Sequence, residues 1–260
     1  MGTQVSTIRA WLDRTPVASI GLALMREATG RNEPLEGIAP TKPAGLASAA
    51  RIGFWSLGAG VGTTTTAALV AQRSAAAGHQ PLLLDLDRWI QSLALRASVE
   101  AATVADALIQ PDRERELVSR WGEVAFLPGS AELHRDFDGQ RVGAALDRLA
   151  TGRPLVIDLG AGADALDVAI IGRLTRLVVV SGGRVSQLQA AFCARALVRD
   201  APCPVGLVLV AVAPEDAALI AARAQMPLLG AIPHDAFLAR DEFAARATTM
   251  RAIDVVIRNL

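Results

Sequence analysis

From Arg51 onward the chain alternates short runs of leucine and β-branched residues with longer alanine-rich segments. That alternation builds βαβ units, and stacked βαβ units form a mostly parallel sheet with helices on both faces. Strands are expected at residues 52–57, 82–85, 124–127, 155–159, 177–180, 205–212 and 228–232, most of them continuous apolar runs, as double-sided cover requires. Helices are expected at 64–77, 104–109, 113–121, 140–150, 165–174, 186–199, 215–224 and 241–260. The fold class that follows is α/β, a doubly wound, mostly parallel sheet in a three-layer sandwich over residues 51–260. Ahead of it lie a helical arm at residues 1–28 and a linker at 29–50 rich in Pro, Gly and Ala.

With 260 residues, 52% of them hydrophobic, the chain buries a sizeable core. The 26 basic and 26 acidic side chains cancel, so no overall field draws in nucleic acid or anionic lipid, and sequence-specific nucleic-acid binding is not expected. A mean hydropathy of +0.34 prompts a search for membrane spans. Every apolar run is cut well before about 18 residues, so no transmembrane helix is expected. Residues 15–25 are flanked by charges and lack a good cleavage site, so a cytoplasmic location is expected. Cys193 and Cys203 read as reduced, small apolar residues, and none of the three histidines is assigned a role.

The most informative segment is FWSLGAGVGTTTTAALVAQ, in which a strand runs into Gly58, Gly60 and Gly62, then four threonines, then an alanine-rich helix. Strand, glycine loop and helix start are the parts of a phosphate cradle. Glycines let backbone N–H groups approach phosphate oxygens, and the first helical turn adds unpaired donors and about half a positive charge. The hydroxyls of Thr64 and Thr65 are placed to cap that turn, and one to reach Mg²⁺. Against the template G-x-x-x-x-G-K-[ST], Gly62 and Thr64 match, Leu57 replaces the first glycine and Thr63 replaces the lysine. Lys42 is the only lysine in the chain, so any compensating cation is an arginine, which the sequence does not single out. A glycine turn that only lets the helix pack closely is the structural reading of the same residues.

LLLDLD ends the second strand with Asp85 and Asp87 on one side of the extended backbone, and LVIDLGAG ends another with Asp158. Carboxyl ends of adjacent parallel strands line the ligand crevice, where such acids suit a Mg²⁺ held mainly through water and an acid that positions attacking water. Capping of the following helices is the other reading of these acids. Gly58-x-Gly60 with Asp85 also resembles a dinucleotide-binding start, which keeps a Rossmann-type oxidoreductase open as the alternative, beside a nucleotide-free scaffold or adaptor.

The run GVGTTTTAALVAQRSAAAGHQPLLLDLD resembles the start of the MinD/ParA superfamily of P-loop ATPases. LVIDLGAG resembles that superfamily's Walker B strand, VAFLPGS its strand before the central helix, and PLLGAIPHDAFLARDE its late strand and turn. The order and spacing cover about residues 51–247. Thr63 in place of lysine, with threonines following, is similar to the CpaE/TadZ branch, a septum-site-determining-like group with a degenerate Walker A. The resemblance implies ATP or ADP with Mg²⁺, bound weakly or as a structural ligand, with hydrolysis reduced or absent. It implies that Gly58, Gly60, Val61, Gly62, Thr63, Thr64 and Thr65 hold the nucleotide, that Thr64, Asp85 and Asp158 serve the metal, and that Asp87 is the catalytic switch-region acid. It further implies a positioning or assembly role for pilus, secretion or division machinery, with partners in a membrane-associated assembly, a homodimer, and peripheral recruitment to the membrane or cell pole. Two positions depart from the superfamily: its signature lysine falls on Gly58, and LVLVAVAPED carries no Asn to read adenine, which leaves base specificity open.

The end of the chain, MRAIDVVIRNL, places Ile253, Val256, Ile257 and Leu260 on one face and Arg251, Asp254 and Arg258 on the other. Docking on the domain is expected in preference to a membrane surface. The arm residues Ile8, Trp11 and Leu12 are the candidate partner contact, with docking of the arm on its own domain the equal alternative.

Overall fold

The computed structural model describes residues 42–134, 137–238 and 245–260. The expected arm, and the linker up to residue 41, lie outside them. The chain runs β1 (Arg51–Ser56), α1 (Thr63–Ala76), β2 (Leu82–Asp85), α2 (Ser92–Ala97), α3 (Val104–Ile109), β3 (Ser119–Trp121), β4 (Val124–Leu127), α4 (Gly139–Leu149), β5 (Leu155–Ala161), α5 (Val168–Ile171), β6 (Arg176–Gly182), α6 (Val185–Leu197), β7 (Val205–Val210), α7 (Pro214–Ala224), β8 (Leu228–Ile232) and α8 (Ala247–Asn259). One eight-stranded sheet has the order β3-β4-β2-β5-β1-β6-β7-β8. Every pairing is parallel except the edge pair β3 and β4.

Alternation along each strand divides the apolar side chains between two layers. Leu82 and Leu84 join Ile157, Val179 and Leu146 on one face, while Leu83 joins Phe54, Val156 and Val208 on the other. The first face is covered by α4, α6 and α7, the second by α1 and α8. Helix α1 buries Ala67, Ala68, Leu69, Val70 and Ala71, and its small residues let the helix lie close to the strands that carry the loop before it.

Three expectations are corrected. Residues 113–121 do not form a helix. Leu117, Val118 and Trp121 imitate a helical stripe, but Glu114 turns inward against Arg148, and Trp121 packs on Phe126 with ring centroids 6.1 Å apart as β3 pairs with β4. The helix expected at 165–174 shrinks to α5, capped by the Asp167 carboxylate, which accepts from the Ala169 N–H at 2.8 Å. Helix α2 was not foreseen, because six residues with Leu93 alone buried carry no readable period.

Helix α8 docks as expected, with Ile253, Val256 and Ile257 buried. Asp254, placed on the polar face by the sequence pattern, is 1% exposed and pairs with Arg73 of α1 at 2.7 Å through two guanidinium nitrogens. Its Oδ1 also accepts from the Ala44 N–H at 2.9 Å, so one carboxylate ties α8 to α1 and to the chain entering β1. Asp235, in the turn after β8, accepts from the Arg246 N–H and the Thr249 hydroxyl, each at 2.7 Å, and fixes the start of α8. Removing one member of a buried ion pair strands the other. Asp254→Ala is therefore expected to lower unfolding stability by about 3 kcal/mol, read as a drop in the urea midpoint at unchanged m-value.

Candidate functional site

The sheet order sets the site. Because β5 lies between β1 and β2, the glycine loop after β1 stands beside the end of β5, and the Asp158 and Asp85 positions face each other in register. Gly60 and Gly62 adopt φ of 73° and 93°, a left-handed backbone that glycine takes without penalty. Gly62 is also the N-cap of α1, and no side chain caps the helix. The capping expected from Thr64 or Thr65 is thus not made. The first helical bond runs from the Thr66 N–H to the Gly62 carbonyl, which leaves the N–H groups before it without helical partners, aimed out of the helix start.

The four threonines have separate roles. Thr63 is buried, and its hydroxyl donates to Ser56 Oγ at 2.9 Å, turning toward the sheet. Thr64 faces Asp158. Thr65 Oγ1 accepts from Arg96 Nη1 at 3.0 Å, and Thr66 bonds back to the Gly62 carbonyl at 2.8 Å. The Val61 side chain is buried in the core, so only its backbone belongs to the loop surface. Gly58 is partly exposed and has no left-handed φ.

Two clefts flank this helix start. The smaller, about 280 Å³, is lined by Gly60, Thr64, Asp87, Arg96 and Gly160. The larger, about 700 Å³, lies between the glycine loop, Gly183 after β6 and Pro233 after β8, and Arg96 lines both. Asp87 Oδ1 accepts from the Trp89 and Ile90 N–H groups at 2.8 and 3.0 Å, which fixes its carboxylate over the smaller cleft. Gly160, at φ 74°, makes that placement possible: a Cβ there would fall 2.4 Å from the Asp87 carboxyl carbon.

Asp85 and Asp158 are fully enclosed and line neither cleft. Asp85 Oδ1 accepts from the Asp87 N–H at 3.1 Å, and Asp158 Oδ1 from the Gly160 N–H at 3.0 Å. Their Oδ2 atoms are buried without a hydrogen-bond partner. Burial pushes the Asp158 carboxyl up to about 6, against the pull of the Thr64 hydroxyl, the Gly160 N–H and the Arg96 charge. Burial, and then the neighbouring Asp158, hold Asp85 well above the usual carboxylate range. Among the described residues no group of three or more His, Cys, Asp or Glu side chains is arranged to hold a metal ion by itself. The residues do fit Mg²⁺ in its usual protein setting, with few protein ligands and the remainder water and phosphate. Thr64 would supply a hydroxyl, and Asp158 would act from behind it through water.

The dinucleotide alternative loses its acid here, since Asp85 is 0% exposed and one strand removed from β1, out of reach of a ribose. Sequence reasoning missed Arg96, Ser56 and the need for glycine at 160. Only Ser56, directly before the loop, carried a usable signal.

No protein-family model matches the chain, and no curated protein matches it by sequence. Solved structures share its fold. A ParA family ATPase from Chlorobium tepidum TLS superposes with a TM-score of 0.71 at 18% identity, over 81% of this chain and 99% of that one. The septum site-determining protein MinD from Pyrococcus horikoshii OT3, complexed with Mg-ADP, gives 0.68 at 18% identity, over 80% and 94%. The MinC:MinD cell division protein complex of Aquifex aeolicus gives 0.67 at 14%, over 80% and 94%. At these identities the likeness is one of fold, that of P-loop ATPases of the MinD/ParA type.

The raised Asp158 carboxyl has a pH consequence. The folded state holds its proton up to about pH 6, the unfolded state only to about 3.8, so this group favours folding most in acid and its contribution falls as pH rises between those values. Asp158→Asn removes that slope. Urea midpoints of the metal-free chain at about pH 4.5 and about pH 7.5 are expected to differ less in the variant than in the native protein, the native chain losing more toward neutral pH.

Proposed function

We propose that the chain is a MinD/ParA-type positioning or assembly protein that binds ATP or ADP with Mg²⁺ through a P-loop lacking its lysine. The observation that carries this reading is the uncapped, left-handed glycine start of α1, opening on a cleft that also holds Asp87 and Arg96, with Asp158 and its unsatisfied Oδ2 buried behind it. Backbone N–H groups of residues 60–65 would hold the phosphates, and Thr64, with Asp158 behind it through water, would hold Mg²⁺, which would supply the charge that neutralises phosphate. Asp87, fixed by two backbone N–H groups, orients attacking water where hydrolysis occurs.

Turnover is slow or absent in this reading, because Thr63 carries no charge to offset the charge that develops in phosphoryl transfer. Nucleotide then acts as a structural ligand or switch. The machinery served is a membrane-associated assembly for pili, secretion or division, reached through protein partners and a homodimer of this chain. No helix of the described residues is long and apolar enough to cross a membrane, so attachment at a membrane or cell pole is peripheral in this reading.

Isothermal titration calorimetry with ATP, ADP and NAD, each with and without Mg²⁺, tests the site on the native chain and on Thr63→Lys. A restored lysine adds a charge-assisted bond of about 1.5–3 kcal/mol, so Mg-ATP is expected to bind about ten- to a hundredfold tighter to the variant, with no heat from NAD. NAD binding alone contradicts the reading. Silence from all three ligands in both proteins leaves a scaffold whose glycine loop is only a turn.

A further inference from the structure

We propose that Arg96 supplies from α2 the cation that the glycine loop lacks, its guanidinium leaving the Thr65 hydroxyl to take the terminal phosphate oxygens of a bound nucleoside triphosphate. The inference rests on the nucleotide-binding reading above and names the group that makes it workable without a lysine.

Three observations converge on Arg96. Position 63, where the P-loop template has lysine, holds a threonine whose hydroxyl is committed to Ser56, and the only lysine of the chain is Lys42. Arg96 Nη1 lies 3.0 Å from Thr65 Oγ1 in the first turn of α1, where the helix start concentrates unpaired N–H groups and positive potential. Arg96 lines both clefts, so a phosphate chain passing from one to the other along the loop comes under its charge.

Other nearby arginines are placed differently. Arg88 stacks on the Phe137 ring at 3.6 Å from its centroid, and Arg184 is an exposed residue at the start of α6, across the larger cleft. Arginine suits the role chemically, because its planar fork binds two phosphate oxygens at once, where lysine offers a point charge. Helix α2 suits it by position. Leu93 is its one buried residue and anchors it in the core, which holds Arg96 at the mouth of the cleft.

The test is calorimetric titration of the full chain with Mg-ATP and Mg-ADP, comparing the native protein, Arg96→Ala, Arg96→Lys and the double variant Arg96→Ala with Thr63→Lys. Unfolding midpoints confirm that each variant is folded. Arg96→Ala is expected to weaken Mg-ATP binding about ten- to a hundredfold and to weaken Mg-ADP less. Arg96→Lys recovers part of the loss, and the double variant recovers most of it, because the loop lysine then supplies the charge from the other side. Native-like Mg-ATP affinity in Arg96→Ala overturns the proposal while the nucleotide-binding reading stands. Binding seen only when Thr63→Lys is present also overturns it. Silence in every protein overturns both.

Discussion

Two carboxyl groups stand side by side inside the sheet, Asp85 on β2 and Asp158 on β5, each with one oxygen that no hydrogen bond satisfies. Burying an unpaired carboxylate costs several kcal/mol, so a structure keeps such a pair only where the surroundings hold it in place. Here the ladder does so. Pairing from Leu82 and Leu155 to Asp85 and Asp158 is continuous, and apolar layers cover both faces. Burial holds both acids above the usual carboxylate range, and the neighbouring Asp158 adds to the rise at Asp85. In the proposed function, a divalent ion beside Thr64 would offset the same burial cost by charge.

Around that pair the loop divides its work by residue. Thr63 and Thr66 close the structure inward, toward Ser56 and the Gly62 carbonyl, while Thr64 and Thr65 face Asp158 and Arg96. Gly160 gives Asp87 its room, and the turn at Asp87 presents the carboxylate to the cleft. In the proposed function, Thr63 in place of lysine is a local departure from the P-loop template, with Arg96 on the neighbouring helix placed to answer it.

The central strands were legible because a strand covered on both faces must be apolar throughout, and β2, β4 and β8 match their expected bounds for that reason. The glycine loop was legible because left-handed backbone demands a particular residue. Where the reading failed, tertiary contacts overrode local pattern. Leu117, Val118 and Trp121 share a helical spacing, yet the free edge of β4 captured Ser119–Trp121 as a strand. Asp254 looked solvent-facing until α1 brought Arg73 against it. Arg96 was invisible, since LALRA has no motif and its meaning comes from the fold placing α2 over the start of α1.

Backbone hydrogen exchange measures the central claim most directly, because the proposed cradle is made of backbone N–H groups. With saturating Mg-ATP, amides of residues 58–66 are expected to become protected relative to the free chain, together with the segment after β2 that carries Asp87 and Arg96. Protection confined to other parts of the chain, with the loop exchanging at its free rate while nucleotide is bound, would contradict the account.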